Sequence, residues 1–169
     1  MRRFRFLLIA GAAIVSGCAG YQLGPTGGQT AREKSVQIIP FTNRTPEPRL
    51  GDAITAALRK EVQRDGTFTL ATRAAGDIIV SGVLTRYQRR AVSFVNTDIA
   101  TARDYDLTLT AQITARERST GKVLFDKPVN SFTLVRVGSD LATTERQALP
   151  LLATDLARRV TAMLADGSW

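Results

Sequence analysis

From Tyr105 to Arg116 the chain alternates without a break. Tyr105, Leu107, Leu109, Ala111, Ile113 and Ala115 are apolar or aromatic, and Asp106, Thr108, Thr110, Gln112, Thr114 and Arg116 between them are polar. Successive side chains of a strand point to opposite faces, so the run predicts a sheet packed on one side and wet on the other. Ser119-Thr120-Gly121-Lys122 then reads as a hairpin turn, with Gly121 supplying a dihedral that other residues resist. A partner strand is expected from about Lys122 to Val137. Pro128 interrupts it and predicts a bulge or an edge position there.

Weaker signals surround this hairpin. Ser35 to Phe41 reads as a short strand through Val36, Ile38, Ile39 and Phe41, with Pro40 marking an edge or a terminus. Thr42 to Pro48 reads as a turn. A helix is expected from about Arg49 to Asp65, because Leu50, Ile54, Ala57, Leu58 and Val62 recur at helical spacing. Asp52 in its first turn and Arg59, Lys60 and Arg64 later suit the helix dipole, and Gly66 is a stop signal. Thr67 to Thr72 is a short extended piece. Asp77 to Arg90 is a longer strand, in which Gly82 predicts a bulge or a close approach. The last helix is expected from about Leu141 to Leu164, capped by Ser139 or Asp140. Leu149, Leu152, Leu156, Val160 and Met163 form its apolar stripe, and Pro150 predicts a kink or restart.

The order β-α-β-β-β-β-α predicts an α+β fold. Both helices should cover one face of the sheet, leaving the Thr/Gln/Arg face open. At 169 residues the chain suits a single domain.

The N-terminus reads differently. Arg2, Arg3 and Arg5 precede an apolar stretch from Phe6 to Val15, too short to span a bilayer as a helix but of signal-peptide length. Val15-Ser16-Gly17-Cys18 resembles a bacterial lipobox, so residues 1–17 are expected to be a lipoprotein signal peptide and Cys18 the lipid attachment site. Several acyl chains on one residue hold a protein in its membrane stably, where a single chain binds only marginally. Ala19 in place of Asp suggests the outer membrane, on its periplasmic side. Residues 18–34, with Gly24-Pro25-Thr26-Gly27-Gly28, read as an acylated flexible tether, and 35–169 as the folded domain.

Composition removes most catalytic chemistry. The chain has no His and one Cys, so the commonest general base and metal ligand is missing and neither a zinc site nor an internal disulfide can form. No serine sits in a Ser-x-x-Lys arrangement. No catalytic residue, metal or cofactor is expected. The 23 Lys and Arg outnumber 15 Asp and Glu, and a positive excess survives loss of the leader, favouring anionic partners such as lipid phosphates. Nucleic acid is not expected as a partner.

The densest basic cluster is Arg86-Tyr87-Gln88-Arg89-Arg90, placed at a strand end beside a hairpin. With Arg116, Arg118 and Lys122 on neighbouring strands it could converge into one patch suited to phosphate recognition. The competing reading is a solvated strand end whose charges discourage edge-to-edge association.

Several segments together resemble the LPS-assembly lipoprotein family, LptE. They are Cys18-Ala19-Gly20-Tyr21-Gln22-Leu23, Val36 to Phe41 with Asn43-Arg44-Thr45, and Ala75 to Gly82. Tyr105 to Leu109, Arg116 to Leu124 and a closing helix complete the set. Ala19 after the cysteine and Pro150 in the last helix depart from the family pattern. The resemblance implies an α+β two-layer sandwich of two helices on one face of a four-stranded, mostly antiparallel sheet. It implies an outer-membrane lipoprotein that plugs the β-barrel LptD and binds lipopolysaccharide on its way to the outer leaflet. Arg86, Arg89, Arg90, Arg116, Arg118 and Lys122 are then the candidate contacts with lipopolysaccharide or barrel. The opening strand and helix also resemble periplasmic lipoproteins of the curli-secretion and peptidoglycan-synthase-activator kind, the alternative.

Overall fold

The computed structural model describes residues 33–95, 98–137 and 140–167. The segment expected to be a signal peptide, Cys18 and the expected tether up to residue 32 lie outside them, as does Ser139. The elements run β1 (Ser35–Ile38), β2 (Thr42–Asn43), α1 (Leu50–Asp65), β3 (Thr69–Leu70), β4 (Ile78–Val95), β5 (Asp98–Glu117), β6 (Val123–Arg136) and α2 (Leu141–Asp166). The sheet order is β3-β1-β4-β5-β6, with β2 also pairing on β4.

The fold is α+β, but the sheet has six strands where the family resemblance implied four and the sequence pattern five, Thr67–Thr72 included. Two short strands account for the difference. Pro40 has no N–H to donate, so the first strand breaks after Ile39, whose N–H still reaches Val80 O at 2.9 Å. The next free donor, Phe41 N–H, leaves the ladder and bonds Thr55 Oγ1 on α1 at 3.1 Å. Pairing resumes as β2 at Thr42–Asn43, inside the stretch read as a turn, because these two residues pair in parallel with Val83 and Leu84. The Thr69–Leu70 pair, within the extended piece expected from Thr67 to Thr72, forms β3 beside β1. The short strands run parallel to their neighbours, whereas the long β4-β5-β6 meander is antiparallel.

The alternation from Tyr105 to Arg116 behaves as read. Leu107, Leu109, Ala111, Ile113 and Ala115 are fully buried, and the intervening residues lie on the opposite face. The core is completed by Val36, Ile78, Val80 and Leu84 from the sheet, by Leu50, Ile54, Leu58 and Val62 from α1, and by Leu152, Leu156, Val160 and Leu164 from α2. Each such aliphatic side chain contributes about 1.5–3 kcal/mol when buried. The two helices lie side by side, and α2 rests on β5 and β6.

Terminators and caps follow local chemistry. Gly66 ends α1 at φ +76°, its N–H bonded to Val62 O at 3.3 Å. Asp140 caps α2, accepting from Ala142 N at 3.1 Å and Thr143 N at 2.9 Å. Gly121 takes φ +71° in the β5–β6 turn.

Three expectations are corrected or narrowed here. α2 runs unbroken through Pro150, with no restart. A proline inside a helix costs about 3 kcal/mol, and the buried stripe on both sides of it outweighs that. Pro128 pairs with Gln112 without a bulge, and β6 is an edge strand. Gly82 marks a close approach and no bulge: a Cβ there would lie 2.3 Å from Phe41 Cε1. The bulge falls three residues later, between Leu84 and Arg86.

Candidate functional site

That bulge sets the site. Up to Leu84 the even-numbered residues of β4 face the helices, and Ile78, Val80 and Leu84 are fully buried. Thr85 is the extra residue, so beyond it the phase reverses. Tyr87 now pairs with Leu109 and Arg89 with Leu107 on the helix face, whereas Arg86 pairs with Thr110, Gln88 with Thr108 and Arg90 with Asp106 on the open face. A bulge of one residue thereby moves two arginines from the core side to the wet side.

The cluster does not sit at a strand end, because β4 continues to Val95. Nor do the six basic candidates form one patch. Arg116 pairs with Ile79, about 20 Å from Arg86 along the strands at ~3.3 Å per residue. They divide into a distal group (Arg86, Arg89, Arg90) and a proximal group (Arg116, Arg118, Lys122).

Within each group the partners differ. Arg89 Nη1 donates to Glu145 Oε2 of α2 at 2.7 Å, and Tyr87 donates its hydroxyl to Glu145 Oε1 at 2.5 Å. Burial, then this bond and the charge of Glu145, hold the Tyr87 phenol well above the usual tyrosine range. Arg89 is therefore already neutralised and fastens β4 to α2. Arg90 is 79% exposed, with Asp106 Oδ2 at 3.9 Å. Arg86 is exposed and has no ion pair among the described residues.

At the proximal end Arg118 Nε donates to Gly76 O at 2.8 Å, and its Nη2 donates to Gln37 Oε1. It ties the hairpin to the loop before β4 and is spoken for. Arg116 is exposed and borders a shallow hollow of about 160 Å³ with Ile39, Ile79, Ser81 and Thr114. Lys122 is exposed in the turn. Of the six candidates, those facing outward on the open face are thus Arg86, Arg90 and Arg116, in a field of Ser81, Thr108, Thr110, Gln112 and Thr114 that also holds the carboxylates of Asp106 and Asp126.

Three features escaped the sequence reading. Phe132 and Leu134 stand 61% and 66% exposed on β6, opposite Thr108 and Asp106. They fall in phase with Asp126 and Asn130, a pattern that marks them as outward. Arg159 of α2 lies 5.4 Å from the Phe132 ring centroid. The third is Asp104, only 6% exposed, which accepts from Ser93 Oγ, from Arg136 Nε at 2.9 Å and from Arg103 Nε at 3.1 Å. Those bonds, led by the one from Ser93, hold its carboxyl well below the usual carboxylate range. No single residue in its neighbourhood signals that convergence, which the pairing of three strands creates.

The arrangement is a two-layer α+β sandwich with one face covered by helices and one polar, charged face left open. Comparison with known families places it more closely. The chain matches the LptE lipopolysaccharide-assembly family over residues 33–164, nearly the whole folded domain, and belongs to that family. Among solved structures, a protein from Xanthomonas campestris is similar with a TM-score of 0.62 at 9% identity, covering 86% of this chain and 91% of that one. An uncharacterized lipoprotein B from Nitrosomonas europaea gives 0.52 at 12% identity, covering 87% and 88%. PelC from Paraburkholderia phytofirmans, solved as a dodecamer, gives 0.51 at 17% identity, covering 82% and 93%. These likenesses show a shared fold. A comparison with curated proteins finds no match.

Proposed function

We propose that this chain is an acylated outer-membrane lipoprotein that serves as the plug and assembly subunit of a lipopolysaccharide translocon. Its partner is an LptD-type β-barrel, and it binds lipopolysaccharide through the open face of its sheet. Membership of the lipopolysaccharide-assembly family carries this reading. The open face supports it: Arg86, Arg90 and Arg116 stand outward there among hydroxyl and amide side chains and the carboxylates of Asp106 and Asp126, a mixed polar surface that offers cations to phosphate groups and suits a polar barrel lumen. Acylation at Cys18 anchors the module beside the barrel and raises its effective concentration there. Its contribution is binding and positioning, with no bond made or broken.

Binding to lipopolysaccharide micelles tests the site. Reversing Arg86, Arg90 and Arg116 to Glu should weaken binding at least tenfold, the loss expected from removing ~1.4 kcal/mol or more of charge-assisted contact. The circular dichroism spectrum should stay unchanged. Binding that survives all three reversals rejects the open face as the lipopolysaccharide surface.

A further inference from the structure

We infer that the free edge of β4 from Arg86 to Ala91 is a docking site for an extended, acidic segment of a partner protein, added as a further strand of the sheet. This goes beyond the translocon reading and does not depend on it.

The edge is open because β2 ends early. β2 pairs with β4 only at Val83 and Leu84, and the last bond on that side runs from Arg44 N to Leu84 O at 3.0 Å. Beyond it, among the described residues, β4 pairs with β5 alone, in unbroken register from Arg86 opposite Thr110 to Ala91 opposite Tyr105. In an antiparallel ladder alternate residues aim their backbone groups at the partner strand and the others aim away. Val80 and Leu84 present carbonyls to the β1–β2 side. After the phase reversal at Thr85, the same outward direction falls to Tyr87, Arg89 and Ala91. No described residue bonds those groups, and six residues is the usual length of a strand.

The space beside the edge fits a strand. Where the chain turns away at Pro46 and Glu47 it leaves a hollow of about 400 Å³, lined with them by Tyr87, Arg89 and Glu145. On the open face a second hollow of about 450 Å³ is lined by Gln88, Arg89 and Arg90 of β4 with Asp106 and Thr108 of β5, over the β4–β5 pair and not beside the free edge. An added strand sends alternate side chains to the two faces, one set over the first hollow and the other alongside Arg86 and Arg90, which is the recognition mode of strand addition.

Charge selects the occupant. On the helix side Arg89 is neutralised by Glu145. On the open side Arg86 is exposed with no ion pair among the described residues, and Arg90 is 79% exposed with Asp106 Oδ2 no nearer than 3.9 Å, too far for a direct hydrogen bond. The incoming segment should therefore carry acidic side chains facing Arg86 and Arg90, with the alternate, uncharged ones on the helix side passing over Tyr87. A second copy of this edge does not fit, because self-pairing sets arginine against arginine, and like charges directly opposite are destabilising. The other long free edge, β6, carries Pro128 in its middle and is blunted by it.

The test is hydrogen exchange of the full acylated chain in detergent, with an octapeptide of alternating Glu and Val as the probe. Exchange across Arg86–Ala91 should slow roughly tenfold as the outward amides acquire partners. The same peptide N-methylated at every amide should give no protection, and neither should an alternating Lys–Val octapeptide. In the Arg86→Glu, Arg90→Glu variant the preference should reverse to the Lys–Val peptide. Absence of protection by the Glu–Val peptide overturns the proposal. Protection that survives N-methylation, or that falls on Val123–Arg136 instead, overturns it too.

Discussion

The hydroxyl of Tyr87 on β4 donates to the Glu145 carboxylate on α2 at 2.5 Å, joining the distal part of the meander to the first turns of the last helix. The bond holds the phenol protonated above its ordinary range, with burial the larger cause. A group whose folded pKa is raised stabilises the fold fully below its unfolded pKa and loses that contribution as pH climbs through the folded value. Stability should therefore fall with rising pH above about 10, the ordinary tyrosine value. Urea titrations at pH 8 and at pH 11 check this: Tyr87→Phe should be less stable than wild type at pH 8, and the gap should narrow at pH 11.

Asp104 gives the opposite sign. Its carboxyl is held low by Ser93, Arg136 and Arg103. It stabilises the fold above the unfolded carboxylate value of about 3.9 and loses that contribution as pH falls further. Asp104→Asn should speed hydrogen exchange in the distal meander at pH 7. It should also flatten the acid limb of the stability curve below pH 4. Equal acid limbs in the two proteins would contradict the assignment.

Gly82 faces the Phe41 ring so closely that a Cβ would overlap it. Overpacking of this kind costs about 1–3 kcal/mol, so Gly82→Ala should lower the urea midpoint clearly. Phe41→Leu should recover part of that loss in the double variant, although it is destabilising alone. Additive losses would mean the ring is not the obstacle.

Ser131 Oγ and Thr161 Oγ1 are buried and lack a hydrogen-bond partner among the described residues. An unpartnered buried hydroxyl costs about 1–3 kcal/mol in desolvation. Thr161→Val and Ser131→Ala should thus be neutral or stabilising in thermal unfolding, whereas truncating their neighbour Leu164 or Leu109 to Ala should cost about 2–5 kcal/mol.

The sequence shows a clear divide between what local pattern specifies and what pairing creates. The Tyr105–Arg116 alternation, the α1 stripe, Gly66 and Gly121 announce their structure, because each depends on side-chain period or on one backbone dihedral. The break at Pro40 was visible as a strand end; the resumption as β2 was not, since it depends on Thr55 receiving the Phe41 amide across the core. The Leu84–Arg86 bulge carries no Gly or Pro to mark it. It nevertheless decides that Arg89 meets Glu145 while Arg86 and Arg90 face outward, so the basic cluster was legible as a composition and not as a surface. Likewise Arg118 read as a free cation and is held by Gly76 and Gln37.

The most direct measurement is affinity purification of the tagged, acylated chain from detergent-solubilised outer membranes, followed by mass spectrometry of what comes with it. A stoichiometric large β-barrel of the LptD type, carrying lipopolysaccharide, is the expected result. Recovery of only a homo-oligomeric ring, or only a peptidoglycan synthase, would contradict the account.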